Sequence, residues 1–80
     1  MRDCEQYYDS KKFLKEDYPH FYFSLCNFIK TLSGTWFFSE CHNPDCDGSR
    51  FEITLHDACG NFRQITATKS GATYIFKQNQ

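Results

Sequence analysis

The segment Cys41-His42-Asn43-Pro44-Asp45-Cys46-Asp47-Gly48-Ser49, followed by His56 and Cys59, holds the densest set of metal-ligating side chains in the chain. A structural zinc site needs four nitrogen or sulfur ligands converging on one point, commonly drawn from cysteine pairs two to four residues apart. Cys41 and Cys46, with four residues between them, suit a first pair. A second pair fails on reach. Residues 50–56 read as a strand, and at about 3.3 Å per residue such a strand carries Cys59 on the order of 20 Å away. His56 has the same problem, which leaves Cys41, His42 and Cys46 as a metal set without a fourth ligand. The expectation is no metal and no cofactor, with a small zinc-binding domain centred on Cys41 and Cys46 as an alternative.

The stretch Asn43-Pro44-Asp45-Cys46-Asp47-Gly48 also matches the first half of a calcium loop, with oxygen ligands at positions one, three and five and a glycine for the sharp turn. Its second half fails, because position twelve is Thr54 and the residues that follow read as strand. Asn, Pro, Asp and Gly are equally the residues of any tight loop, for the backbone angles and local hydrogen bonds they supply. For catalysis, a cysteine nucleophile with His20, His42 or His56 as base is the one pairing the composition offers. No spacing singles out a pair, and neither a phosphate-cradling glycine loop nor Gly-x-Ser-x-Gly is present. A domain of 80 residues has little room for a deep cleft. The expectation is a chain without enzymatic activity.

Aromatic side chains on a sheet can stack bases, and Phe62, Tyr74 and Phe76 with Arg63 and Lys77 suggest a sheet-based binder of single-stranded nucleic acid as a further alternative. Alternation sets Arg63 and Lys77 on the face opposite the three aromatics, which weakens it. A net charge of −1 also argues against binding through phosphates, and direct nucleic-acid binding is not expected. The charge is unevenly spread. Residues 40–57 carry Glu40, Asp45, Asp47, Glu52 and Asp57 against Arg50 alone, a net −4, whereas residues 58–80 carry Arg63, Lys69 and Lys77 and no acid.

These groups must be positioned by a single domain with little stability to spare at this length. Nine Phe, five Tyr and one Trp compensate with large burial per side chain. No run approaches the roughly 18 apolar residues of a membrane span, and the opening MRDCEQYYDS lacks the apolar stretch of a secretory signal. Five irregularly spaced cysteines, Cys4, Cys26, Cys41, Cys46 and Cys59, fit reduced thiols better than a disulfide framework, so the chain reads as cytoplasmic.

The organising element is residues 18–32, YPHFYFSLCNFIKTL, where Phe21, Leu25, Phe28, Ile29 and Leu32 recur at helical spacing on one stripe. Pro19 suits the first helical position and Gly34 a left-handed stop. Residues 2–17 read as a shorter amphipathic helix with Cys4, Tyr7, Tyr8 and Leu14 on one face. After Gly34 the texture becomes strand-like over 35–41, 50–56, 62–68 and 72–77, and Phe51, Ile53 and Leu55 alternate with Glu52, Thr54 and His56. Short glycine-containing loops at 57–61 and 69–71 join hairpins. Pairing Thr68 with Ala72 sets Ile65 opposite Ile75, Thr66 opposite Tyr74 and Gln64 opposite Phe76. The fold class is α+β, with one or two N-terminal helices on a four-stranded antiparallel meander, in the order α-α-β-β-β-β.

The functional expectation is a small protein-binding module, a regulator or inhibitor of the kind that phages encode against host defence, as anti-CRISPR proteins are. Its acidic face, built from Glu40, Asp45, Asp47, Glu52 and Asp57, occupies a basic surface of a protein partner, with Tyr74 and Phe76 as a second contact and no role for a membrane.

Overall fold

The computed structural model describes residues 6–78. In chain order it forms β1 (Gln6–Tyr8), α1 (Lys11–Asp17), α2 (Pro19–Lys30), β2 (Phe37–Asn43), β3 (Arg50–His56), β4 (Phe62–Ser70) and β5 (Thr73–Gln78). The fold is α+β, with both helices packed on one antiparallel sheet. That sheet has five strands, in the order β1-β2-β3-β4-β5, and not the four read from the sequence.

The added strand comes from the segment expected to be helical. Cys4 and the rest of residues 2–5 lie outside the described residues, but Gln6–Tyr8 is extended and pairs with β2, Tyr8 opposite Cys41 and Gln6 opposite Asn43. Tyr8 is buried while Tyr7 beside it is 65% exposed, the alternation of a strand. The helix starts only at Ser10, whose extended backbone and Oγ, accepting the Lys12 N–H at 3.2 Å, make it an N-cap.

Pro19 opens α2 as expected, and Phe21 and Leu25 on its stripe are buried outright, with Phe28, Ile29 and Leu32 packed around them. They meet Phe51, Ile53 and Leu55 of β3 and Ile65 and Ala67 of β4. No described helix is long and apolar enough to cross a membrane. At the entrance to α2, the buried Asn43 donates through Nδ2 to Gln6 Oε1 at 2.8 Å and to the Tyr18 hydroxyl at 3.1 Å, so β1, β2 and α2 share one polar knot. Tyr8 closes it by donating to Asp17 Oδ2 at 2.7 Å, and burial together with that carboxylate holds the Tyr8 phenol well above its usual pKa.

The register of the last hairpin also differs from expectation. The loop is the two residues Gly71 and Ala72, closed by Ser70 opposite Thr73, and Gly71 at φ 63° supplies the positive angle that a tight hairpin turn demands. Phe76 therefore lies opposite Ala67 and Ile75 opposite Thr68, instead of Phe76 opposite Gln64 and Ile75 opposite Ile65. The shift is odd, so it exchanges the faces. Tyr74 and Phe76 join Ile65 and Ala67 under the helices, while Ile75 points away from them, 58% exposed.

Candidate functional site

Both helices cover the same side of the sheet, and no described helix lies over the other side, the open face. A cross-strand row runs over it through all five strands, Tyr7, His42, Glu52, Thr66 and Lys77 standing opposite one another in turn. The next rows are Glu40, Thr54 and Gln64, and then Phe37, His56 and Phe62. A break in register between Phe38 and Glu40 makes this face possible. The extra residue at Ser39 is a bulge that lets Phe38 and Cys41 both point inward while Phe37 and Glu40 both point outward.

The rows enclose a shallow trough of ≈ 330 Å³ lined mainly by Tyr7, Glu40, His42, Glu52, Thr54 and Gln64. Its wall is the Tyr7 ring lying flat on the His42 imidazole, with centroids 4.2 Å apart and planes within 3°. Glu52 lies 3.5 Å from His42 Nδ1 on one side and 3.8 Å from Arg50 Nη1 on the other. Arg50 also reaches Asp45, at 3.6 Å. Beside the trough Phe37 packs on His56 at 5.6 Å, and Phe37 and Phe62 are 47% and 67% exposed.

Of the five acids singled out by charge, Glu40, Glu52 and Asp45 gather around this trough and its Arg50 margin. Asp47 accepts the Ser49 N–H and shapes its own loop. Asp57 lies at the other end of β3, on the order of 20 Å from Arg50 at about 3.3 Å per residue. It accepts from the backbone N–H groups of Cys59 and Asn61 and from Asn61 Nδ2, bonds that hold its carboxyl below the usual range. Tyr74 and Phe76 are on the helix side, and Phe62 is on the open side, so the three aromatics grouped for base stacking do not share a face. Arg63 lies over the Trp36 ring at 4.5 Å and Lys77 is on the open face with Phe62. Tyr7 and Phe37 carried no signal as site residues, because Tyr7 reads as helical and Phe37 as an ordinary strand position, whereas His56, weighed in the sequence as a metal ligand or base, stands beside Phe37 on this face.

The metal and nucleophile readings meet the same geometry. Cys41 and His42 are neighbours on one strand, so their side chains leave opposite faces of the sheet and cannot converge on one ion. Asn43, the first position of the calcium pattern, is buried in the knot with Gln6 and Tyr18. Among the described residues no group of three or more His, Cys, Asp or Glu side chains could hold a metal ion. Burial pushes the Cys41 thiol up to about 12, which keeps it protonated and unreactive at neutral pH. A thiol-reactive dye added to the native protein is therefore expected to label the exposed Cys59 and to leave Cys41 untouched until denaturant is added. Peptide mapping of the labelled protein checks it, and native labelling of Cys41 would mean that β2 is not buried.

Comparison with protein-family models, with curated protein sequences and with solved structures gave no match.

Proposed function

We propose that this chain is a non-enzymatic protein-binding module that engages a basic surface of a protein partner with the open face of its sheet, and that it regulates or inhibits by occupying that surface. The observation that supports this reading is the composition of the trough. Two carboxylates, Glu40 and Glu52, stand among exposed or half-exposed aromatic rings on a sheet face with no described helix above them. Carboxylates beside ring faces match arginine, whose guanidinium pairs with the former and stacks on the latter. The same carboxylates count against base stacking by Phe37 and Phe62, since a phosphate backbone following those rings would pass close to both charges.

The test uses octa-arginine as a probe, and then the partner captured from the native cell. Amide resonances of Tyr7, His42, Glu52 and Gln64 are expected to move on titration, and affinity is expected to fall steeply between low and physiological salt, because the Debye length is then roughly 8–10 Å. Reversing both charges, Glu40→Lys with Glu52→Lys, should slow association by about tenfold or more while the melting temperature stays near that of the parent. Asp47→Lys, in the loop, serves as the charge control. Equal affinity and an equal salt slope in parent and reversed protein would refute the reading.

A further inference from the structure

β5 is the last strand of the sheet, so one side of its backbone has no neighbour among the described residues. The two-residue turn makes Ser70 and Thr73 a hydrogen-bonded pair, and pairs alternate along an antiparallel ladder. Tyr74, Phe76 and Gln78 therefore direct their N–H and C=O groups outward. The strand end is anchored by Arg63, which donates to Gln78 Oε1 at 2.8 Å.

Beside this edge runs a groove of ≈ 340 Å³ between α2 and β5, lined by Ser24, Asn27, Phe28 and Thr31 from the helix and by Tyr74 and Phe76 from the strand. Its floor is Phe28 stacked on Phe76, with centroids 4.7 Å apart and planes within 9°. Around Tyr74 it continues into a hollow of ≈ 230 Å³ bordered by His20 and Lys69. The groove is built entirely from two segments, residues 18–39 and 58–80, that contain no Asp or Glu but do contain Lys30, Arg63, Lys69 and Lys77. The chain thus has an acidic trough on the open face and, at the β5 edge, an apolar groove with Lys69 at one end and Lys77 on the other side of the strand.

We infer that the β5 edge and the α2–β5 groove form a second binding site, which takes an extended segment of a partner protein with apolar side chains alternating with acidic ones. Backbone groups of such a segment pair with Tyr74, Phe76 and Gln78. Side chains of period two then point alternately into the Phe28–Phe76 groove and toward the open face, where Lys77 stands, and the end beside Tyr74 meets Lys69 and His20. An oligonucleotide would meet the same cations but offers no alternating donors and acceptors to the edge. A second copy pairing through β5 would bring Lys77 of one edge against Lys77 of the other, which like-charge repulsion opposes.

The test titrates the 80-residue chain with an acetylated octapeptide of alternating valine and glutamate. Amide resonances of Tyr74, Phe76 and Gln78 are expected to shift and their hydrogen exchange to slow, while Tyr7, His42 and Glu52 stay in place. Asn27→Trp, which fills the groove from an exposed position, and separately Lys69→Glu with Lys77→Glu, are each expected to weaken binding by about tenfold. Four results would each overturn the inference. These are no shift at millimolar peptide, equal shifts of the Tyr74, Phe76 and Gln78 amides with the valine-lysine octapeptide, octathymidylate binding the same residues as tightly, and protection of the β5 amides that grows with protein concentration in the absence of peptide. None of them bears on the trough of the open face, whose probe and resonances are different.

Discussion

Phe21→Ala is expected to cost about 3–5 kcal/mol, the range for deleting a fully buried aromatic ring and leaving its cavity. Small domains have about 5–15 kcal/mol in total, so the variant should lose a large share of its stability. Phe21 has no exposed surface and lies face to face with Phe51 at 3.8 Å, with Tyr74 edge-on at 5.0 Å. It therefore joins α2 to β3 and β5 at one point. Leu25→Ala should follow at about 2–5 kcal/mol, and Phe28→Ala should fall below both, because Phe28 is only half-buried at the edge of the α2–β5 groove. Chemical denaturation of the three variants checks the order. A midpoint for Phe21→Ala within error of the parent would mean that α2 is not the element on which the core is assembled.

Gly48→Ala is the second large effect, at about 2–5 kcal/mol, from a left-handed backbone costing about 1–2 and overpacking costing about 1–3. Gly48 is buried at φ 76°, and a methyl group there would lie 2.7 Å from Cε1 of Tyr18. The ring has little freedom to withdraw. Its hydroxyl accepts from Asn43 and its face meets Phe51 edge-on at 5.2 Å, while the Gly48 carbonyl accepts from the Tyr74 hydroxyl at 3.2 Å. Measured in a Tyr18→Ala background, the cost of Gly48→Ala should fall to the backbone part alone, about 1–2 kcal/mol. An undiminished cost in that background would remove the ring contact from the explanation.

The acidic segment shows how far the candidate site could be read in advance. Counting charges locates five acids between residues 40 and 57, but counting cannot say which of them are available. Asp47 and Asp57 are committed to the backbone of their own loops, and Arg50 spans Asp45 and Glu52. Glu40 reaches the trough only because the bulge at Ser39 turns it to the side of Glu52; strict alternation from Phe37 would have placed the two on opposite faces. His42 reads in sequence as a companion of Cys41, and in the fold it is the partner of Tyr7 instead.

By itself the sequence determined α2, through Pro19 and a stripe of five apolar residues, and β3, through three full alternations. It also determined the α+β class and the placing of both helices on one face. Each of these is a local pattern long enough to distinguish a period of 3.6 from a period of two. Only the tertiary structure decided β1, because three residues satisfy either period and what makes Gln6–Tyr8 a strand is pairing with Cys41, His42 and Asn43, distant in sequence. The faces of the last hairpin were likewise decided in three dimensions. One residue of loop length reverses every side chain beyond it, and burial of Tyr74 and Phe76 against Phe21 and Phe28 selects the shorter loop. The β5 groove follows from that choice, as the trough follows from the bulge at Ser39, since a register is fixed by the area it buries across the whole sheet and no short stretch of sequence carries that quantity.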